Sequence, residues 1–396
     1  MTKSKMTSAE FITLSACTMM LTALGIDIML PAFANLRKHF GLPPNSTAPA
    51  QIIGFFFMGQ IAQLVFGILS DRFGRLSIYR IGFPLYILGG ILATFAPSFE
   101  VMLAARFFAG VGASAVFMTT IAGVRDRFVG DQMARTMSLI FTIFLFTPVV
   151  APFLGMAILA VSDWQMVFIT PPVFGLFVFL WSFRMEESHP QEKRTALNWP
   201  NVKQSIAEVI SNKVFLRYTI MTTLLFTALS TWVATSEHII GEIYGKPQFF
   251  AWFFAGIGLL MSLCTYFNSH LTTRIGARTS IKWLLIFYAL VATVLFFVTL
   301  FFGNPPHIIA LFTGLALLMA INIAIEPNSS ALALEPMGDK AGVAASVYGT
   351  IFFFVGSSLS AGISYFMQSS IFPLILSFFV IGLVNLVLFF FSGNQK

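Results

Sequence analysis

Charge is what this chain of 396 residues has least of. Asp, Glu, Lys and Arg together make up 10% of it, against about 25% in an ordinary soluble domain. So few charges cannot cover a water-facing surface, which excludes a soluble enzyme, a disordered chain and a nucleic-acid binder. Cysteine is almost as scarce. Cys17 and Cys264 lie far apart in apolar stretches, so they make neither a disulfide framework nor a four-ligand zinc site and read as small buried hydrophobes. Five histidines, at 39, 189, 238, 270 and 307, show no metal-ligand spacing. There is no Walker A loop, and Gly110-Val111-Gly112 sits inside an apolar run with no strand before it, so neither ATP nor a dinucleotide is expected. The expectation is a non-enzyme that needs no cofactor and no metal.

Apolar residues are present in excess: 57% of the chain is hydrophobic, and 47 residues are phenylalanine. A membrane-spanning helix needs roughly 20 predominantly apolar residues. Segments of that kind fall at about 11–36, 48–70, 77–97, 100–124, 134–160 and 164–184, then at 214–236, 248–270, 281–302, 307–333, 342–367 and 371–392. The expected fold is an all-α membrane protein with twelve transmembrane helices in two six-helix halves. The first segment is too long for a cleavable signal peptide and has no small-residue cleavage site after it. Residues 1–184 form the first bundle, 185–213 a polar cytoplasmic linker, and 214–396 the second bundle. Within the linker, Trp199, Val202, Ile206, Val209 and Ile210 recur at helical spacing, which predicts a short helix on the membrane surface. The simpler alternative is a tether with no part in transport.

The net charge of +7 is better read by location than by total, because Lys and Arg concentrate on the cytoplasmic side. With both termini inside, 19 of the 23 basic residues fall in cytoplasmic tails and loops; Arg37, Lys38 and Lys246 fall outside, and Arg106 lies within a span. Both termini are therefore expected in the cytoplasm. An internal repeat accompanies this. Ser70-Asp71-Arg72-Phe73-Gly74-Arg75 closes the second segment and Thr272-Thr273-Arg274-Ile275-Gly276-Ala277 the eighth, offset by 202 residues, and Arg80 and Lys282 share the offset. Two halves repeated in the same orientation, joined by a linker, are the trace of parallel repeats in a transporter.

The segment from Gly67 through Asp71, Arg72, Gly74 and Arg75 has a direct physical reading. Gly67 allows close helix approach, Asp71 can pair with basic groups, and the arginines hold the inner face. Its sequence, placed after span two of twelve, resembles the signature loop of the major facilitator superfamily. Three further stretches, Ile26 to Phe33, Arg106 to Ala113 and Arg125-Asp126, resemble the bicyclomycin-resistance (Bcr/CflA) group of drug:proton antiporters within that superfamily. Ala341 to Ser346 fits the group too. Thr147 to Gly155, with Pro148, Pro152 and Gly155, is similar to the kinked glycine–proline motif of exporters, although Ala151 and Met156 stand where that motif has glycine. The resemblance implies a proton-coupled antiporter exporting small hydrophobic compounds by alternating access. It also implies a monomer in a bacterial inner membrane, and a conformational gate at Gly67, Asp71, Arg72, Gly74, Arg75, Pro148, Pro152 and Gly155. Its partners would be a small-molecule substrate, protons and the bilayer.

Ionisable groups inside apolar spans are costly and point to function. Asp27 lies about 16 residues, or ~24 Å, into the first helix, and Arg106 about seven residues, or ~10 Å, from the outer end of the fourth. Both therefore fall in the outer half of a core about 30 Å thick. They are candidates for proton coupling and substrate binding; the alternative is an Asp27–Arg106 pair that only neutralises itself. Glu326, about 19 residues or ~28 Å from the outer end of span ten, is a second candidate proton site or a counter-ion for a cationic substrate; equally, it can be a hydrated interfacial residue. Gln60, Asn322, Tyr348 and Glu237 are candidate substrate contacts. Helix–helix hydrogen bonding is the alternative for Gln60, Gln63, Asn322 and Tyr348, and an interfacial position for Glu237 and His238. Phe55 to Phe57 and Phe352 to Phe354 read as packing or lipid-facing residues. The competing function is a specific carrier of a carboxylated metabolite or siderophore, with Arg106 as the clamp.

Overall fold

The computed structural model describes residues 6–194 and 199–390. Lys3, Lys5 and Lys396 of the charge tally, residues 195–198 of the linker and the last two residues of the twelfth segment lie outside them. The described residues hold twelve helices long and apolar enough to cross a membrane. Spans 1–6 are Ser8–His39, Ala50–Phe73, Arg75–Thr94, Phe99–Arg127, Arg135–Leu159 and Trp164–Ser182. Spans 7–12 are Lys213–Ile243, Pro247–Ile275, Ala277–Phe302, Ile308–Gly338, Gly342–Tyr365 and Phe372–Phe390. In hydrocarbon every backbone polar group must be satisfied within its own segment, and helices meet that demand at their ends through side-chain caps. Thr7 Oγ1 accepts from Glu10 N at 3.2 Å at the start of span 1. Asn212 Oδ1 accepts from Val214 N and Phe215 N, both at 3.0 Å, at the start of span 7.

Two spans run further than their apolar cores. In span 1 a 3₁₀ turn at Leu30–Ala32 places Pro31 where its missing N–H costs no bond, and the helix resumes over Phe33–His39. Span 7 ends in a π-turn, Ile239–Ile243. Arg37, counted with the outer loops on sequence, is therefore helical and 3% exposed. Glu237 and His238, read as interfacial, lie buried in the last turn of an α-helix.

By contact density the chain divides into two units, Met1–Leu36 with Phe55–Ser205, and Arg37–Gly54 with Ile206–Lys396. The first holds spans 3–6 with most of spans 1 and 2; the second holds spans 7–12 together with the connection between spans 1 and 2. In the first unit, spans 3 and 4 pack closely along Gly82, Gly89 and Gly112, whose missing side chains let the two backbones approach. The repeat seen in the sequence is also a repeat of backbone. Gly74 (φ +91°) and Gly276 (φ +84°) end spans 2 and 8 in the left-handed region that favours glycine, and spans 3 and 9 begin at the next residue. The expected linker helix is present as Trp199–Ser211, with Val209 buried and Trp199 and Ile210 exposed. Large apolar side chains such as Phe95, Trp252 and Phe302 lie exposed on the exterior, as a bilayer rather than water requires.

Candidate functional site

In the first unit Asp27 is the last residue of the first α-helical stretch of span 1 and is 5% exposed. It forms no ion pair among the described residues. Arg106, 1% exposed on span 4, reaches the same turn of span 1 but bonds to backbone: its Nη2 donates to Gly25 O at 2.6 Å. Its guanidinium carbon lies 4.5 Å from the centre of the Phe56 ring. The absence of side chains at Gly59 and Gly110 lets spans 2 and 4 touch backbone to backbone and brings Phe56 onto the arginine. The two buried charges thus share a neighbourhood without the pairing that sequence depth allowed. A carbonyl dipole and an aromatic face attend the cation, and the carboxylate is left unpaired. Phe56, read as packing or lipid-facing, is the ring that attends Arg106.

Gln63 Nε2 donates to Gln60 Oε1 at 3.0 Å, and both residues are buried in span 2 around a 3₁₀ turn. Gln60 Nε2 has no partner among the described residues, so one donor of this pair is unmet. Pro148 and Pro152 are both accommodated inside the helix Gly130–Leu159. Gly155 of the same helix lies against the backbone of Ile28 and the ring of Pro31, next to Asp27 in the chain.

The signature loop is the second cluster of this unit. Arg75 is 6% exposed and carries most of its bonds. Its Nε donates to Asp126 Oδ2 at 2.8 Å and its Nη1 to Asp71 Oδ1 at 2.6 Å and to the hydroxyl of Ser70. Glu187, in the stretch after span 6, accepts from the backbone N–H groups of Arg75 (2.9 Å) and Leu76 (3.2 Å). It therefore caps the start of span 3 with a carboxylate, where the helix dipole favours one. A Cβ on Gly74 would run into that carboxylate. Gly67 is half-buried within the helix Gln63–Phe73, and Arg72 is exposed with its guanidinium 5.7 Å from the Phe73 ring. Sequence reasoning missed Glu187, because a linker carboxylate carries no signal of the helix it caps.

In the second unit Arg37 meets Glu237 in a two-point ion pair, Nη1 to Oε2 at 3.0 Å and Nη2 to Oε1 at 2.9 Å. The same Nη2 also bonds to Glu242 Oε1 at 2.9 Å. His238 Nε2 lies 3.2 Å from Met367 O, and Thr47 Oγ1 donates to Ser364 O at 2.8 Å. Arg37 was missed because it falls one residue beyond the first apolar segment, 11–36, and was counted with the outer loops. The useful signal was the lack of any breaker between Phe33 and Gly41.

Three other candidates cluster nearby in the sequence of this unit. Asn322 Nδ2 donates to Leu225 O at 2.7 Å, tying span 10 to span 7. Glu326, one helical turn on, is half-buried and accepts from Tyr348 Oη of span 11 at 3.2 Å. The Ser330 and Thr222 hydroxyls lie beside this pair. Asp27, Arg106 and Gln60 thus belong to one unit, and Glu237, Asn322, Glu326 and Tyr348 to the other. No group of three or more His, Cys, Asp or Glu that could hold a metal occurs among the described residues.

Twelve apolar helices in a duplicated pattern, with isolated ionisable groups buried in the spans, define a polytopic membrane protein of the transporter type. The sequence profile of the Major Facilitator Superfamily matches residues 15–361, and the chain belongs to that family, whose members are transporters rather than enzymes and carry small-molecule substrates. It is 27% identical over 399 residues to the bicyclomycin resistance protein homolog of Haemophilus influenzae, covering 100% of this chain and 99% of that relative. It is 26% identical over 349 residues to the multidrug resistance protein MdtL of Escherichia coli O157:H7, covering 86% of this chain and 85% of the relative. Among solved structures, the fold is similar to that of the xylose transporter XylE from E. coli, with a TM-score of 0.74 at 13% identity over 98% of each chain. It is also similar to the human organic anion transporter MFSD10, at 0.72 and 16% over 96% of this chain and 98% of that one. The expected superfamily is borne out, and so is the all-helical twelve-span fold.

Proposed function

We propose that this chain is a proton-coupled secondary transporter that exports small hydrophobic or drug-like compounds by alternating access. The observation that carries the proposal is Asp27: a carboxylate 5% exposed inside a span, without an ion pair among the described residues, beside an arginine occupied by a carbonyl and a ring. Such a group has a strong incentive to hold a proton wherever it is dry and to lose it wherever water or a cation reaches it. That alternation is what coupling needs. Similarity to relatives named for bicyclomycin resistance, over the full length, and for multidrug resistance, over most of it, supports drug-like substrates and the export direction. Arg106 serves as the electrostatic partner of that neighbourhood. Its Nη2 is bonded to Gly25 O, while its Nε has no partner among the described residues, so the substrate screen below is what separates an exporter of drug-like compounds from a specific carrier of a carboxylated metabolite.

In this reading residues 1–184 and 214–396 are the two transporting bundles, and 185–213 connects them on the cytoplasmic face of a bacterial inner membrane. Both termini are cytoplasmic, by the basic-residue bias, and the protein works as a monomer. Gln60, Asn322, Tyr348 and Glu237 contact substrate or hold the helices that do. The loop around Asp71 and Arg75, with Pro148, Pro152 and Gly155, gates the cycle. The test is substrate-triggered proton movement in proteoliposomes, comparing wild type with Asp27→Asn across lipophilic cations, neutral antibiotics and polycarboxylates. Proton flux driven by a drug-like compound and lost in Asp27→Asn is the expected result. Flux only with a carboxylate, or unchanged flux in the variant, overturns the reading.

A further inference from the structure

Spans 3 and 6 meet closely at one end and part at the other, all within the first unit. Toward the end remote from the linker, Gly90 lies against the ring of Pro172, and Gly175 against Tyr86 and Ile87, so the helices touch where glycine stands in place of a side chain. Toward the linker, large rings stand between them. Tyr79 stacks on Phe83 at 5.5 Å, Phe83 meets Phe179 at 5.4 Å, and Phe179 meets Phe183 at 5.0 Å. The Tyr79 hydroxyl shares a 2.8 Å bond with that of Thr120 in span 4, which fixes the first ring of this row. The result is a cleft at that end. Leu76, Tyr79 and Arg80 line it from span 3, Phe179, Ser182 and Phe183 from span 6, and Met185 completes it. Each trio is one stripe of its helix, since residues three and four apart share a face.

Among the described residues Arg80 is the one charge lining this cleft. It is exposed, and it forms no ion pair or hydrogen bond with another side chain among the described residues. Lys282, its counterpart in the second half, rests its ammonium 5.6 Å from the ring of Trp283. Arg80 lies five residues past the start of span 3, about 7.5 Å along the helix, where headgroups give way to hydrocarbon. Its neighbours Ile81 and Phe183 are exposed on the apolar exterior. A guanidinium at that depth needs an anion, and its flat fork suits a phosphodiester. The apolar walls suit the glycerol and upper acyl carbons attached to a lipid phosphate, which a free phosphate lacks. A zwitterionic lipid carries its own ammonium beside the phosphate, in competition with the arginine, whereas an anionic one does not. Basic pockets between spans recognise anionic headgroups in this way. We propose that this cleft binds an anionic phospholipid, with Arg80 on its phosphate and Leu76, Phe179, Phe183 and Met185 against its glycerol and upper acyl carbons. The proposal does not depend on what the chain carries.

The test measures lipid binding to the purified full-length chain in detergent by native mass spectrometry. The probes are phosphatidylglycerol and phosphatidylethanolamine, and wild type is expected to hold the first more tightly. Arg80→Gln should weaken phosphatidylglycerol about fivefold, the effect of one cation near a membrane surface, and leave phosphatidylethanolamine within about twofold. Lys282→Gln removes an equal charge from the matching place in the second half and should leave phosphatidylglycerol binding unchanged. Leu76→Trp fills the cleft at constant charge and should weaken phosphatidylglycerol as Arg80→Gln does. Free glycerophosphate should not displace the lipid. Wild type without a preference, Arg80→Gln that binds as wild type does, or Lys282→Gln that loses as much as Arg80→Gln overturns the proposal. So does unchanged binding in Leu76→Trp, and so does displacement by glycerophosphate, which would assign the cleft to a soluble phosphate ester. Arg80 is exposed, so its variant keeps the test decisive even where Leu76→Trp fails to fold. Absent drug export in proteoliposomes sinks the exporter reading and leaves the lipid site standing.

Discussion

Replacing Arg37 by methionine should cost this protein more stability than any other single change to a side chain in the Arg37–Glu237–Glu242 cluster. The Arg37 and Glu237 side chains are 4% and 8% exposed and share two bonds of 3.0 and 2.9 Å. Removing one partner from a buried pair leaves the other charge unanswered, which costs about 3–5 kcal/mol. The Arg37–Glu242 contact adds little, because the Glu242 side chain is 36% exposed and half-wet pairs contribute about 0–1 kcal/mol. At about 2–4 °C per kcal/mol for a unit of this size, Arg37→Met should lower the melting temperature in detergent by roughly 6–20 °C. Glu237→Gln should be milder, because Arg37 keeps Glu242. The double variant Arg37→Met/Glu237→Gln should recover most of the loss, since it removes the stranded carboxylate as well. The assay is thermal unfolding of the four proteins side by side, read as a double-mutant cycle. A loss under about 1 kcal/mol for Arg37→Met, or a double variant as unstable as Arg37→Met alone, would refute the argument that a desolvated charge sets the cost.

Three further outcomes follow from the same physics. Gly74→Ala and Gly276→Ala both force a Cβ into positive φ, at about 1–2 kcal/mol, but only at position 74 does the Cβ also meet a carboxylate, that of Glu187; equal melting losses would count against the Glu187 cap. Asn322→Leu removes the donor to Leu225 O and should lower stability by about 0.5–2 kcal/mol, with unchanged thermal unfolding as the contrary result. The triple variant Asp71→Thr/Arg75→Ala/Asp126→Asn, which copies the second half into the first, should fold with a similar melting temperature and lose most transport in proteoliposomes. Wild-type transport in that variant would remove the signature loop from the mechanism.

The twelve spans were legible because a bilayer demands about 20 apolar residues per crossing and the chain supplies them in separate runs. The duplication was legible in Gly74 and Gly276, since a helix-to-helix corner at positive φ leaves glycine in the sequence. Pairing was less legible. Periodicity says which residues lie in a span but not which neighbour they face, so a bond across 200 residues such as Arg37 to Glu237 leaves no local trace. Depth arithmetic brought Asp27 and Arg106 to the same level and stopped there. That Arg106 chooses the Gly25 carbonyl and the Phe56 ring depends on how closely Gly59 and Gly110 let spans 2 and 4 approach. Glu326 was visible as an acid in an apolar run, whereas its aromatic surroundings come from two other spans, 7 and 11, and depend on how those helices pack.

The two halves close the same corner in different chemistry, and the difference is informative. In the first, Arg75 gathers Ser70, Asp71 and Asp126. In the second, positions offset by 202 residues are Thr272, Thr273, Ala277 and Asn328. There Thr272 Oγ1 donates to Asn328 Oδ1 at 3.2 Å, and Asn328 and Asn268 share a bond at 3.4 Å. A neutral network is therefore sufficient to hold a span–glycine–span corner of this shape. Buried ion pairs are seldom the cheapest way to stabilise a fold, since desolvation offsets much of the attraction. A charged version kept in one half, where a neutral one suffices in the other, is better explained by a need for bonds that can be exchanged for others of similar energy when the protein changes state. Charges have that property, because Arg75 can keep Asp126 while Asp71, half-exposed, is free to find another cation or helix end. A neutral network of amides and hydroxyls offers no such exchange.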